Sequence, residues 1–329
     1  MAASSSLSRE LRAVRGVRVW KDAPLAPFTT IGTGGKAKLL VTAADTAGVV
    51  AALKILEAHG VPWFCLGAGS DLLVADEGYP GVALKLDQGF QYVEGLPTEP
   101  RRDCGPVVIT VGAGVYLARL AAVTAEAGLA GLEFACGIPG SVGGGVAMNA
   151  GAYGRSLVDV VREVELAGAE GARWIRAEEL QWRYRCCSLP KEMVVTAVRL
   201  ELTPGDCTEL LECNRVTLRK RRSVQPQGVR TFGSTFKNPS GGAAGRLLDA
   251  AGLKGERRGG AEVSSIHANF LVNLGDASTS DVVALMCEMR ERVHQTCGVL
   301  LEPEVRLVGA VFPWESSDAG RQGLPAADG

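Results

Sequence analysis

Residues 137–154 read Gly-Ile-Pro-Gly-Ser-Val-Gly-Gly-Gly-Val-Ala-Met-Asn-Ala-Gly-Ala-Tyr-Gly. Eight glycines fall between positions 131 and 154. A packed strand or an ordinary helix does not tolerate that density, because glycine is costly to order in either. Such a tract marks tight turns or backbone brought close to a ligand. A second tract, Gly67-Ala68-Gly69-Ser70-Asp71-Leu72-Leu73, directly follows the apolar run at 62–66. Successive backbone N–H groups in such a turn can form a nest for an anion. Neither tract is a P-loop. Nor is the second a dinucleotide fingerprint, since Leu72 stands where its third glycine would be. Two tracts in one domain point to a large phosphate-bearing ligand.

Outward from the tracts, the pattern alternates. Residues 38–41 and 82–86 read as strands, and 62–66 as a strand running into the Gly67 turn. Asp45 and Thr46 can cap a helix that carries Val49, Val50, Leu53 and Leu56 and ends at Gly60. Residues 116–127 read as an Ala-rich helix, and 160–166 and 194–202 as half-buried antiparallel strands. The character changes at Pro204-Gly205. A helix over 208–222 ends in Arg219-Lys220-Arg221-Arg222, and Ser278 with Asp281 suits the start of another. The class is α+β with a boundary near 204. Residues 1–20 read as an extension, 95–106 as a loop and 311–329 as a disordered tail.

Composition narrows the function. The 329 residues are 47% hydrophobic, 22% charged and 5% aromatic, with 42 glycines and a net charge of −1. Such a chain folds into about two domains. The charge excludes a dedicated nucleic-acid or membrane-surface protein, and no apolar run is long enough to span a bilayer. Nine scattered cysteines without CxxC, and three distant histidines, show no zinc spacing or disulfide framework. The chain therefore reads as a cytoplasmic protein that binds no metal.

Taken together, GAGSDLL, GIPGSVGGGVAMNAGAYG, YRCCS, GSTFKNP, AGLKG, GGAEVSSIHANFLVN and LEPEVR resemble the UDP-N-acetylenolpyruvoylglucosamine reductases (MurB), in that family's order, over about residues 24–309. The resemblance implies an FAD-binding domain of the vanillyl-alcohol-oxidase (PCMH) type at 21–204, in two subdomains (about 21–90 and 91–204). A substrate-binding domain at 205–310 follows. It implies FAD and NADPH as cofactors, a UDP-sugar substrate, a monomer, and a role in peptidoglycan precursor synthesis. Hydride would pass from NADPH through the flavin to the enolpyruvyl C3, with a proton added at C2.

The resemblance also assigns residues. FAD contacts fall on Gly67, Ala68, Gly69, Ser70, Asp71 and Leu72, and on Ile138, Gly140, Ser141, Gly144 and Asn149. Asp71 replaces the family's usual Asn, and an ionised carboxylate cannot donate to a phosphate. Ser234 matches the proton donor, Arg185 the catalytic arginine and Glu304 the acid that helps polarise the enolpyruvyl group. Arg183 and Glu302 are neighbouring competitors that periodicity alone does not dismiss. Asn238, Lys237 and His267 match substrate-contacting positions. Only 48 residues separate Arg185 from Ser234, as in the family's shorter branch. A sugar or lactone oxidase of related fold, or a non-catalytic nucleotide-sugar binder, are the competing readings. The first is disfavoured by GSTFKNP and LEPEVR, the second by the presence of Ser234, Arg185 and Glu304.

Overall fold

The structure is a computed structural model that describes residues 2–99 and 105–318. The chain forms two compact units, and their composition cuts across the order of the sequence. Unit 1 comprises Met1–Ala23, Ala37–Ser70 and Pro80–Gln225; unit 2 comprises Pro24–Lys36, Asp71–Tyr79 and Pro226–Gly329. The class is α+β, as the sequence implied. The division differs from a single cut near 204 because two early segments pair with late ones in unit 2, and the helix Cys207–Val224 stays in unit 1.

Unit 1 holds two large sheets. The first has the strand order Val17–Pro24, Lys36–Ala43, Tyr79–Leu86, Trp63–Leu66, and its last pair is parallel. The helix Thr46–Ala58 buries Val49, Ala52, Leu53 and Leu56, and the Asp45 carboxylate caps it by accepting from the Gly48 N–H at 2.7 Å. The second sheet is antiparallel, in the order Gly171–Arg176, Val161–Gly168, Val194–Pro204, Val107–Gly112, Val93–Glu94. The helices Leu117–Glu126 and Cys207–Val224 are joined by buried Asn214, which donates to the Ala121 carbonyl at 3.0 Å.

The N-terminus departs from the expected extension. Ala2–Ala13 is a helix, and Leu7 and Leu11 are buried in one cluster with Val49, Leu53 and Leu56. Leu7 and Leu11 are four apart and so share a helix face; Arg12 donates to the Val19 carbonyl at 2.8 Å and ties the helix down. Leu11→Ala is accordingly expected to cost about 2–5 kcal/mol, the range for emptying a buried leucine site. Urea denaturation of the flavin-free protein measures it, and an unchanged midpoint would return the segment to the status of a frayed extension.

Unit 2 is built on the antiparallel strands Arg257–Arg258, Ala261–Val263 and Leu271–Asn273 and the helices Ala244–Ala250 and Thr279–Cys297. Ser278 and Asp281 form the expected capping box, and Gly298 ends that helix in the left-handed region at φ 69°. Leu72–Val74 pairs in parallel with Arg306–Val308. Asp76 secures the same early segment by accepting from the Thr279 and Ser280 N–H groups, both at 2.8 Å. At the C-terminal side Pro313–Asp318 is helical, with Trp314 stacked on buried Phe312. The tail expected at 311–329 is therefore ordered to 318, and 319–329, like part of the loop expected at 95–106, lies outside the described residues.

Candidate functional site

The two glycine tracts meet in unit 1. Ser70 Oγ donates to the Pro139 carbonyl at 3.3 Å, and Leu117 N–H donates to the Gly140 carbonyl at 3.0 Å. A Cβ on Gly67 would stand 3.0 Å from Ser141 Oγ, and one on Gly140 would stand 3.2 Å from Ser70 Oγ. Gly140 also has φ 129°, where an L side chain is strained. Each glycine thus faces a serine hydroxyl of the other tract, across a cradle that larger side chains would fill. That shape fits a diphosphate-bearing group such as FAD, which needs N–H donors at close range.

Not every glycine in the tract serves that cradle. Gly145 is packed so that a Cβ would lie 2.9 Å from Leu117 and from Leu157, and on Gly151 one would lie 2.4 Å from the Arg155 carbonyl. These positions are demanded by protein packing. The N–H groups of Ile138 and Gly144 already have protein acceptors, the Ala135 carbonyl and Ser141 Oγ. Asn149 is buried with both ends of its amide in use: Nδ2 donates to the Arg183 carbonyl at 3.1 Å and Oδ1 accepts from the Val158 N–H at 3.2 Å. Asn149 therefore fastens the tract to the Arg185 hairpin. Asp71 and Leu72 belong to unit 2, where the Asp71 carbonyl accepts from the Arg306 N–H at 3.2 Å.

One contributor to the cradle carries no obvious sequence signal. Lys85, on the strand Tyr79–Leu86, donates from Nζ to the Gly67 carbonyl at 3.2 Å, and burial holds its pKa below the ordinary lysine value. The basic run at 219–222 divides its labour. Arg219 pairs with Glu212 at 3.2 Å, Lys220 lies 5.3 Å from the centre of the Tyr153 ring, and Arg221 Cδ is 3.2 Å from where a Cβ on Gly137 would be. Lys220 and Arg221 thus border the glycine tract.

Arg185 occupies a two-residue turn. Trp182 pairs with Cys187 and Arg183 with Cys186, leaving Tyr184 and Arg185 at the tip. Arg185 has φ 56°, a left-handed conformation that a turn normally gives to glycine or asparagine. Its Nη1 donates to the Gly151 carbonyl at 3.2 Å, and its guanidinium lies 4.8 Å from the Tyr184 ring centre. Arg183, by contrast, is exposed. Backbone strain at a half-buried arginine is the kind that functional sites hold. Burial, followed by the neighbouring Cys186, pushes the Cys187 thiol up to about 12, so it is inert as a nucleophile at neutral pH.

Unit 2 brings Ser234, Lys237, Asn238, His267 and Glu304 onto adjoining segments. Ser234 forms an antiparallel bridge with Phe270, and Phe236 forms one with Pro303. Glu304 N–H donates to the Thr235 carbonyl at 2.9 Å. Its competitor differs: Glu302 is exposed and its carboxylate lies 3.5 Å from Lys237 Nζ. Asn238 is exposed and its Oδ1 accepts from the Ala244 N–H at 3.0 Å, capping the helix Ala244–Ala250. His267 packs edge-on to Phe270, and its Nδ1 accepts from the Asn269 N–H at 3.2 Å. The neutral ring then carries its proton on Nε2. Burial first, and the Lys254 charge second, hold its pKa below the ordinary histidine value. Among the described residues no group of His, Cys, Asp and Glu is arranged to hold a metal ion.

Comparison with known proteins gives a consistent result. The FAD binding domain family matches residues 37–175, and the family described as UDP-N-acetylenolpyruvoylglucosamine reductase, C-terminal domain, matches 225–308. The UDP-N-acetylenolpyruvoylglucosamine reductase of Anaeromyxobacter sp. (strain Fw109-5) is 49% identical over 298 residues, 91% of each chain. That of Myxococcus xanthus (strain DK1622) is 40% identical over 306 residues, 93% of this chain and 97% of the relative. The crystal structure of the reductase of that name from Thermus caldophilus superposes with a TM-score of 0.75 at 37% identity, covering 89% of this chain and 98% of the other.

Proposed function

The chain belongs to the UDP-N-acetylenolpyruvoylglucosamine reductase family, and from that premise we propose the division of chemistry among its residues. The reaction is the NADPH-dependent reduction of UDP-N-acetylglucosamine enolpyruvate to UDP-N-acetylmuramate, a step of peptidoglycan precursor synthesis. FAD, when bound, would supply the hydride chemistry that links NADPH to the enolpyruvyl C3. Residues 67–70 with Gly140 and Ser141 would hold the diphosphate of that group, and Lys85 steadies their loop through the Gly67 carbonyl.

Addition at C3 leaves negative charge on C2 and on the adjoining carboxylate of the substrate. Arg185 meets that charge with a planar fork of N–H donors, which suits a carboxylate whose charge grows in the transition state. Ser234 then gives its hydroxyl proton to C2 and regains one from water. An enolate is basic enough to take a proton from so weak an acid. Glu304 polarises the enolpyruvyl group. Lys237, Asn238 and His267 contact the UDP-sugar, His267 as a donor through Nε2–H. The observation that supports this reading is the backbone hydrogen bond from Glu304 N–H to the Thr235 carbonyl, which ties the segment carrying the acid to the one carrying Ser234.

The protein is proposed to act as a cytoplasmic monomer. Among the described residues no helix is long and apolar enough to cross a membrane. The test is anaerobic. The flavin absorbance bleached by NADPH is expected to return when UDP-N-acetylglucosamine enolpyruvate is added. If only a free sugar or a lactone acts on the flavin, the oxidase reading replaces this one.

A further inference from the structure

Asn269 lies in the run Ala268-Asn269-Phe270-Leu271-Val272, is 3% exposed, and is one of few polar side chains in the unit 2 interior. Every polar group it has is committed. Its carbonyl accepts from the Thr235 N–H at 2.8 Å. Its Oδ1 accepts from the Phe236 N–H at 3.0 Å, and its Nδ2 donates to the Phe236 carbonyl at 2.8 Å. Its own N–H donates to His267 Nδ1 at 3.2 Å.

The chain turns at this point, since the Phe270 N–H closes back on the His267 carbonyl at 3.0 Å. The side-chain amide takes the place of a peptide group and grips both polar groups of Phe236. Only Asn and Gln side chains offer an amide donor and acceptor together, and Gln is one methylene longer. The other edge of the same segment is held by the Glu304 N–H on the Thr235 carbonyl and the Lys237 N–H on the Glu302 carbonyl, both at 2.9 Å. Thr235 and Phe236, the two residues after Ser234, are therefore clamped from both sides. Ser234 is left half-buried at the mouth of the clamp, bridged to Phe270.

We propose that Asn269 is the positioning residue for the Ser234 hydroxyl: its two-way grip on Phe236 sets where the proton donor stands relative to Glu304. This rests on the assignment of Ser234 as proton donor. Asn269 touches no substrate atom and acts through the backbone of Phe236.

Asn269→Asp is the isosteric probe. As a neutral acid it can accept from the Phe236 N–H and donate to the Phe236 carbonyl; as a carboxylate it turns a bare anion toward that carbonyl. The titratable groups on the adjoining segments are His267 with Lys254 and Asp249 near it, and Lys237, Glu302 and Glu304. In the flavin-loaded protein at neutral pH, Asn269→Asp and Asn269→Ala should slow flavin reoxidation by the enolpyruvyl substrate by about 10–10²-fold, the effect of a small misplacement of a reacting group. Flavin reduction by NADPH should stay near the parent rate. Lowering the pH should restore Asn269→Asp relative to the parent but not Asn269→Ala. The thermal midpoint of each flavin-free variant is measured alongside.

Parent-like reoxidation in both variants, with Ser234→Ala impaired, overturns the role of Asn269 and leaves the proton donor standing. Parent-like reoxidation in Ser234→Ala overturns the assignment beneath it. Equal slowing of both half-reactions with a lowered midpoint, and no acid recovery in Asn269→Asp, also overturns the proposal, because it marks a general folding defect.

Discussion

Ser234→Ala protein is expected to bleach its flavin with NADPH at close to the parent rate and to lose about 10²–10⁴-fold in reoxidation by the enolpyruvyl substrate, the worth of a positioned general acid. The two halves separate because only the second needs a proton at C2. The substitution removes one oxygen from a half-buried side chain whose backbone stays bridged to Phe270. Little refolding cost follows, so a lost rate is attributable to the lost hydroxyl. Stopped-flow absorbance follows each half-reaction on its own. Ser234→Cys restores a donor at the same place and should recover part of the loss. Undiminished reoxidation in Ser234→Ala would leave the proton to another group, and with it the reading of GSTFKNP as a catalytic motif.

Local chemistry was legible where a side chain acts on its own neighbours. The Asp45 cap and the Ser278–Asp281 capping box both sit where the residues implied. The glycine tracts likewise announced a backbone cradle. What the residues did not announce was pairing across the chain. The strand Leu72–Val74 joins Arg306–Val308 in unit 2, and no local pattern distinguishes it from its neighbours in unit 1. The N-terminal helix was hidden for another reason. Its buried face rests on Leu7 and Leu11, and the serine- and arginine-rich residues around them gave the segment the look of an extension.

The glycines of the tract serve two ends. Gly145 and Gly151 are excluded from bearing side chains by Leu117, Leu157 and the Arg155 carbonyl, so the density of the tract is part cradle and part packing. Asn269 carried no assignment from the sequence, although a polar residue inside an apolar run is an informative signal for a buried role. Its partner could not be read, because Phe236 is 33 positions away. Lys85 looks like an ordinary strand lysine until its ammonium is found on the Gly67 carbonyl.

Arg185→Gly should separate stability from activity. At φ 56° a non-glycine residue carries strain on the order of 1–3 kcal/mol, and glycine relieves it. The same change gives up the Gly151 hydrogen bond and the stacking on Tyr184. Those losses are of similar size to the relief, because a hydrogen bond nets about 1 kcal/mol and an exposed cation–π contact about 0.5–1 kcal/mol. The thermal midpoint should therefore stay close to the parent value. Turnover should fall by about 10²–10³-fold, as when one preorganised donor is removed from a developing charge. Arg185→Lys keeps a positive charge but not the planar fork, and should recover only part of that loss. Arg183→Ala supplies the contrast: its side chain is exposed, and the contact that matters there, the Arg183 carbonyl with Asn149, is backbone and survives. A large loss in Arg183→Ala with Arg185→Gly intact would exchange the two roles. A sharp fall in the midpoint of Arg185→Gly would mean that the strained turn serves the fold, and that evolution has tolerated the strain for packing alone.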